Sequence, residues 1–374
     1  MTFAGGASDE NAVYHLCDRS VLATQAFAAE VTDCPHIVWK NGHHVCSIVE
    51  KRSVATRQAP CEEICLITVP ELAAEALGSY LAEQLNRGFG STDIGLRELI
   101  PSLSRLALDC IGNSDALYHN VEHTMLVTLV GHEIMSGRAL LMPTSASDYA
   151  HVVAACLFHD IGYVRGILKR DGADEYVTDS SGSKTALARG SSDAALMPYH
   201  VDRSKLFVMD RIAKSKLLDA VRITSAIECT RFPVAHDAEK DNEEGLLVRA
   251  ADLIGQLGDP QYLRKANALY YEFEEVGMNR QLGYTSPADL TNQCPQFYWS
   301  SVSVQIQPAL RYLNVTSSGR QWMATLYSNV FRAERELNLS GLQREQLSST
   351  VRDGGLSRRY GCKNRPERTT APMA

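Results

Sequence analysis

From about residue 70 onward, apolar positions recur at helical spacing. The stretches "ELAAEALGSYLAEQLNR", "LRELIPSLSRLALDCIG", "DYAHVVAACLFHD", "SKLFVMDRIAKSKLLDAVRITSAIE" and "NEEGLLVRAADLIGQL" each repeat apolar residues every three or four positions, the mark of a helix with one buried stripe. The pattern predicts an all-α, multi-helix bundle. Ahead of it, "HIVWKNGHHVCSIVE" is two β-prone runs around Asn41-Gly42, a dipeptide that tolerates the positive φ of a tight hairpin, and "ICLITV" could add a third strand. The chain therefore divides into a small N-terminal β-containing module over residues 1–90, a helical domain over 95–338 and a tail over 340–374. The tail lacks periodicity and is expected to be largely disordered. One polar stretch, residues 166–203, interrupts the helices and is long enough to act as a lid over a pocket. Internal repeats are absent.

Composition narrows the classes of function. With 374 residues, 45% of them hydrophobic, the chain can bury a sizeable core without disulfides. Its 37 basic and 44 acidic residues give a formal charge of -7, and basic tracts with interleaved aromatics are missing, which argues against polymeric nucleic acid as a partner. The N-terminus has acidic residues where a signal peptide needs a basic region and an apolar core, and uninterrupted apolar runs of membrane-spanning length do not occur. These features predict a cytoplasmic protein without a membrane partner. The ten cysteines are scattered and include no C-x-x-C pair. Cys46 with Cys61 and Cys65 is the nearest thing to a thiolate site, but the spacing of the last two is helical and argues against structural zinc.

Candidate chemistry begins at "YHNVEHTMLVTLVGHE", where His119 and His123 stand four apart in a stretch that reads as helix. On one helical face two imidazoles can converge on one point, as two metal ligands must. The plainer reading is a pair of hydrogen-bonded packing residues, so partners elsewhere must decide. His159-Asp160 follows the apolar helix "VVAACLF" and precedes the stop Ile161-Gly162. A buried imidazole and carboxylate are costly together unless a cation compensates them. Asp252 lies in the apolar run "LLVRAADLIGQL", where it is either a ligand or a residue that caps a helix or pairs with Arg249.

In this order, His123, His159-Asp160 and Asp252 resemble the HD superfamily of metal-dependent phosphohydrolases, all-α proteins that hold one or two divalent metals between helices. The likeness narrows to cyclic-nucleotide phosphodiesterases of class I. Their "YHNxxH" motif reads here Tyr118-His119-Asn120-Val121-Glu122-His123, and "RAADLIGQLGDPQYLRKANALYYEFEEVG" is similar to their "ADLS…P…EF…QG" stretch. The resemblance spans roughly residues 101–337. It implies divalent ions (zinc, magnesium, manganese or iron) held by His123, His159, Asp160 and Asp252, with Asp160 also reaching a looser second ion and taking part in catalysis. It implies His119 as general acid, and the residues alone agree, since a ring one turn before a ligand faces the same cavity yet stays free to carry a proton.

The likeness has gaps. Tyr163 stands where the family often has a further His near the second ion. The family's base-binding Gln and Phe have only a loose counterpart in Gln293 or Gln296 before Phe297. Glu228 falls where related enzymes place a pocket acid, and Arg231 could grip a phosphate bidentately. His132, His151, His200 and His236 are read as structural or surface residues. The expectation is a hydrolase of phosphate esters, foremost a phosphodiester of a small nucleotide. A nucleotidase or triphosphohydrolase and a nucleotide- or metal-sensing regulatory protein are the alternatives. A homodimer is left open.

Overall fold

A computed structural model describes residues 67–89, 93–232 and 242–352. The Asn41-Gly42 hairpin, the first three residues of "ICLITV", the cysteines at 46, 61 and 65, His236 and residues 353–374 lie outside the described residues, while the last residue of "ICLITV", Val69, opens a helix where a strand was expected. Among the described residues the fold is all-α, with one two-stranded ribbon.

The first two helices, α1 (Val69–Phe89) and α2 (Ile94–Ile111), pack against each other. Their buried stripes are Ala74, Leu77, Leu81 and Leu85 on one and Leu96, Ile100, Leu103 and Ala107 on the other, which is the spacing read from the sequence. Two more helices form the centre, α3 (Val121–Leu141) and α4 (Ala146–Phe158). From Tyr149 to Phe158 every residue of α4 is buried, so this helix is apolar all round. It starts on a capping box in which Ser145 and Asp148 each bond the other's backbone N–H. Full burial of a side chain such as Phe158 stabilises the fold by roughly 1.5–3 kcal/mol.

Beyond α4 the chain makes a 3-10 turn at Ile161–Tyr163, the antiparallel strands β1 (Glu175–Val177) and β2 (Lys184–Ala186), and a second 3-10 stretch at Asp193–Tyr199 that leads into α5 (His200–Ile212). The expected long loop over 166–203 is therefore built structure, and Arg203 ties it down. The sequence hides this because strands of three residues are too short to show alternation. Then come α6 (Ala220–Glu228) and α7 (Glu243–Leu257), the latter packed on α3, α4 and α6. The close approach of α7 to α3 needs Gly255, where a Cβ would sit 2.9 Å from the Cα of Val127.

The remaining elements are α8 (Tyr262–Glu275), α9 (Met278–Leu282), α10 (Pro287–Phe297), a π-turn at Tyr298–Val302, α11 (Ser303–Gln305), α12 (Gln307–Leu313) and α13 (Ser317–Arg352). The last helix runs twelve residues past 340, where order was expected to end. The stretch "GLQREQL" is rich in good helix formers without an apolar stripe, so propensity extends the helix where periodicity gives no sign of it.

Candidate metal centre

Three helices deliver the candidate ligands to one place. His123 is at the third position of α3, His159 at the C-cap of α4, and Asp252 in the middle of α7. Asp160 follows His159 into the 3-10 turn. Asn242 caps α7 and Arg249 donates to the carbonyl of Cys229, so Asp252 is neither a cap nor the partner of Arg249.

The donor atoms converge. His123 Nε2 is 3.3 Å from Asp160 Oδ2 and 3.4 Å from Asp252 Oδ1, while His159 Nε2 is 3.0 Å and 3.7 Å from the same two oxygens. His123 Nε2, His159 Nε2 and Asp160 Oδ2 are buried and make no hydrogen bond. Ligand atoms about 2.0–2.2 Å from a zinc-sized ion stand roughly 3 to 3.6 Å from one another. The set therefore fits a divalent cation. A cation would also satisfy the three buried atoms, each of which otherwise costs the desolvation of an unpaired polar group.

The orientation of each ring is fixed from behind. His159 Nδ1 donates to the carbonyl of Cys156 at 2.8 Å, one of the carbonyls the end of α4 leaves unpaired, so the lone pair of Nε2 points into the site. Burial would push the carboxyls of Asp160 and Asp252 up, but the facing rings of His159 and His123 outweigh it and hold both well below the usual carboxylate range. Both acids are thus ready to bind a cation as anions. Burial would likewise lower the pKa of His159, yet Asp160 and Asp252 raise it well above its ordinary value. Proton and cation compete for the same nitrogen.

His119 lies elsewhere than expected. The helix starts at Val121, because the side chain of Asn120 accepts from the N–H groups of Glu122 and His123 and ends the turn there. His119 therefore precedes the helix, and the shared helical face is replaced by a bend that still brings its ring to 5.4 Å from that of His123. The residue that positions it is Glu272 on α8, which is 1% exposed. One carboxylate oxygen accepts from the backbone N–H of Tyr118 and of His119 at 2.6 and 3.2 Å, and the other takes His119 Nδ1 at 2.5 Å. Burial opposes the protonated ring, but the charge and hydrogen bond of Glu272, with smaller help from Asp160 and Asp252, raise its pKa above the ordinary 6.5. Glu272 is the first Glu of the "EFEE" stretch. A carboxylate between Leu269 and Phe273 on an amphipathic helix was its sequence signal.

Two further residues have places in the site that the sequence did not suggest. Tyr163 is sandwiched between the rings of His119 and His200, with centroids 4.4 and 4.6 Å away. His200, expected to be structural or superficial, faces the site, with Nε2 3.7 Å from Asp160 Oδ1. Burial keeps its pKa below the ordinary value. By contrast His132, bonded to Tyr149, and His151, which accepts from the N–H of Asp219, are packing residues as expected.

A cavity of about 490 Å³ opens onto His119, Asp160, Tyr163, His200 and Asp252. Its far wall is largely apolar, with Leu269, Phe273, Met278, Leu290 and Phe297. Phe297 thus lies where expected, but Gln296 is exposed and neither it nor Gln293 lines the cavity. Gln296, the neighbour of Phe297 along α10, projects about 100° round the helix from it. Gln256, one turn beyond Asp252, together with Gln281 and Gln305, supplies amides to the wall instead. Arg231 lines the cavity, but Glu228 and Asp202 hold its guanidinium. Glu228 is spent on Arg231 and Lys205 and does not line the cavity. Neither residue is the free pocket charge that sequence suggested.

Neither the curated proteins nor the solved structures hold a match to this chain. Residues 67–336, which contain every element of the site, match the family described as Npun_R2479-like, and the chain belongs to that family.

Proposed function

We propose that this protein is a metal-dependent phosphohydrolase of the HD type, acting on a small phosphate ester and foremost on a phosphodiester of a nucleotide. The observation that supports this reading best is the meeting of two imidazole nitrogens and two carboxylates from three helices, three of whose atoms are buried without a hydrogen bond. Their order along the chain is the order in which the superfamily presents its ligands.

His123, His159, Asp160 and Asp252 would hold the ion. A divalent ion bound there supplies Lewis acidity toward the phosphoryl group and a water acidic enough to attack at neutral pH. The protein's own part is proton transfer and orientation. Glu272 takes the proton of His119 Nδ1 in a hydrogen bond, so Nε2 is left to the cavity side and can carry the proton that the departing oxygen needs. The flat contact with Tyr163 keeps the ring from rotating. The amides of Gln256, Gln281 and Gln305 on an otherwise apolar wall suit a flat heterocycle with polar edges.

The decisive test is a purified protein reconstituted with manganese or zinc and assayed on cyclic mononucleotides, cyclic dinucleotides, linear dinucleotides, nucleoside mono- and triphosphates and bis(p-nitrophenyl) phosphate. Metal-dependent turnover of a diester supports the reading. Turnover of nucleoside phosphates alone moves it to a nucleotidase or triphosphohydrolase. Tight binding without turnover makes the domain a sensor.

A further inference from the structure

We infer that Arg165 is a positioning residue for His119: its guanidinium fastens together the three chain segments whose rings stack beside the metal centre. The inference rests on the reading of His119 as proton donor and adds a residue to it. Arg165 does not line the cavity, so it acts only through what it holds.

The rings of His119, Tyr163 and His200 come from three segments: the loop after α2, the 3-10 turn after α4 and the start of α5. Each segment also sends one charged side chain to a second meeting point. Asp115 stands four residues before His119, Arg165 two after Tyr163 and Asp193 seven before His200. Arg165 Nη2 donates to Asp115 Oδ2 at 2.7 Å, Nη1 to the carbonyl of Ser191 at 3.2 Å, and Nε to the carboxylate of Asp193. The backbone N–H of Asp193 donates to the other oxygen of Asp115 at 2.6 Å, and Ser114 adds a hydrogen bond to Asp193. Every nitrogen of the guanidinium is therefore used, and each of the three segments is tied to the other two.

The same knot reaches α8. Ser192 donates its N–H to Glu275 Oε1 at 2.6 Å and its hydroxyl to the other oxygen. Glu275 stands one turn after Glu272, the carboxylate that takes His119 Nδ1, so α8 holds the proton donor with one acid and the segment that leads to His200 with the next. His119 precedes α3, and its loop depends on these ties where a helix would depend on its own hydrogen bonds. The side chains of Arg165 and Asp115 are 35% and 54% exposed, and ion pairs that water screens this well add little to folding. A planar fork on two carboxylates nevertheless fixes geometry, and misplacing a reacting group by an ångström costs about 10²-fold in rate. Loss of Arg165 is therefore felt in the placement of His119 more than in the stability of the fold.

The test compares wild type with Arg165→Gln and Arg165→Lys. Hydrogen exchange at the backbone N–H groups of Tyr118 and His119, both bonded to Glu272, needs neither substrate nor metal. It should run several-fold faster in Arg165→Gln, while exchange in α4 stays as in wild type. With manganese added, kcat on an alkyl phosphodiester should fall roughly 10- to 10²-fold, with KM and bound manganese unchanged. On bis(p-nitrophenyl) phosphate, whose leaving group needs no proton, the loss should be several-fold at most. Arg165→Lys should not restore the alkyl diester, because an ammonium lacks the fork that spans both carboxylates. Asp115→Asn keeps the shape and still accepts from the N–H of Asp193, so it should give a weaker form of the same pattern, and it decides the matter if the Arg165 variants do not fold. Wild-type exchange, undiminished turnover of the alkyl diester, equal losses on both substrates or loss of manganese would each overturn the inference. A wild type that hydrolyses no phosphate ester would end the phosphohydrolase reading instead, and exchange at Tyr118 and His119 would still decide whether Arg165 holds their loop.

Discussion

Arg203 and Asp171 face each other through hydrogen bonds of 3.1 and 3.0 Å, and neither side chain has any exposed surface. The same guanidinium donates to the carbonyls of Gly162, Val164 and Val177, so each of its five N–H groups is used. A buried pair gains little over an apolar replacement of the same shape, but removing one partner strands the other in a low dielectric. Arg203→Met and Asp171→Ala should each cost about 3–5 kcal/mol in urea unfolding, and the double variant clearly less than the sum. Arg203→Lys should not rescue, because an ammonium lacks the planar fork. Additive losses in the double-mutant cycle would show that the pair acts as two separate residues.

Glu272 orients His119, and its role can be separated from its charge on the fold. Glu272→Gln keeps the shape and can still accept from the N–H groups of Tyr118 and His119, but it presents an amide to His119 Nδ1 where a carboxylate had been. The imidazolium form loses its counter-ion, and kcat on an alkyl phosphodiester should fall roughly 10²-fold, within the range for a general acid. On bis(p-nitrophenyl) phosphate, whose leaving group needs no proton, the loss should be several-fold at most. Equal losses on both substrates would assign Glu272 to folding or to the metal centre.

Much of this arrangement was legible because local patterns carried it. Asp252 stood out as a carboxylate inside an apolar run, and His159-Asp160 as a polar pair at the end of a helix that is apolar all round. The helices themselves followed from their stripes. What was not legible depends on distant residues or on one hydrogen bond. Asn120 starts α3 at Val121, three residues after the Tyr118 at which the helical reading began, and this moved His119 off the helix. His200 and Asp160 meet only because Gly162 allows two backbones to touch. The pairing of Arg203 with Asp171, thirty-two residues apart, turned a polar stretch into built structure. Glu228 and Arg231 found each other at i, i+3 and so satisfied charges that sequence had assigned to a ligand.

Asp109 on α2 makes a pH prediction far from the site. Burial pushes its carboxyl from 3.8 up to about 6, with Arg105 opposing and Glu71 adding. The native state thus binds the proton more tightly than the unfolded chain, and ionisation of Asp109 opposes folding above pH 6. A sealed group displaced this far would cost about 3 kcal/mol, but Asp109 is only half-buried, and solvent screening leaves about 1 kcal/mol. Asp109→Asn should therefore stabilise the protein by about that amount at pH 7. The gain should shrink as pH falls through 6 and vanish below about 4, where both states of the wild type are protonated. Denaturant melts at pH 4, 5.5 and 7 would show this, and a gain independent of pH would refer it to packing.

His119 and His123 stand 5.4 Å apart by ring centroid, yet they are fastened differently and should fail differently. His123 has a buried Nε2 aimed between Asp160 and Asp252 with no hydrogen-bond partner, whereas His119 is held by Glu272 and opens onto the cavity. His123→Asn should lose bound metal and activity together, and it should no longer be stabilised by added manganese in a thermal melt. His119→Asn should keep its tighter ion and its metal-dependent stabilisation while turnover of an alkyl diester falls roughly 10²- to 10⁴-fold. On a nitrophenyl diester the His119→Asn defect should largely close, because a good leaving group departs unprotonated, and the His123→Asn defect should remain. Metal lost from both variants alike would make His119 a ligand too, as its place within 4.8 Å of the donor atoms of His123 and Asp160 permits, and the proton would then have to come from elsewhere.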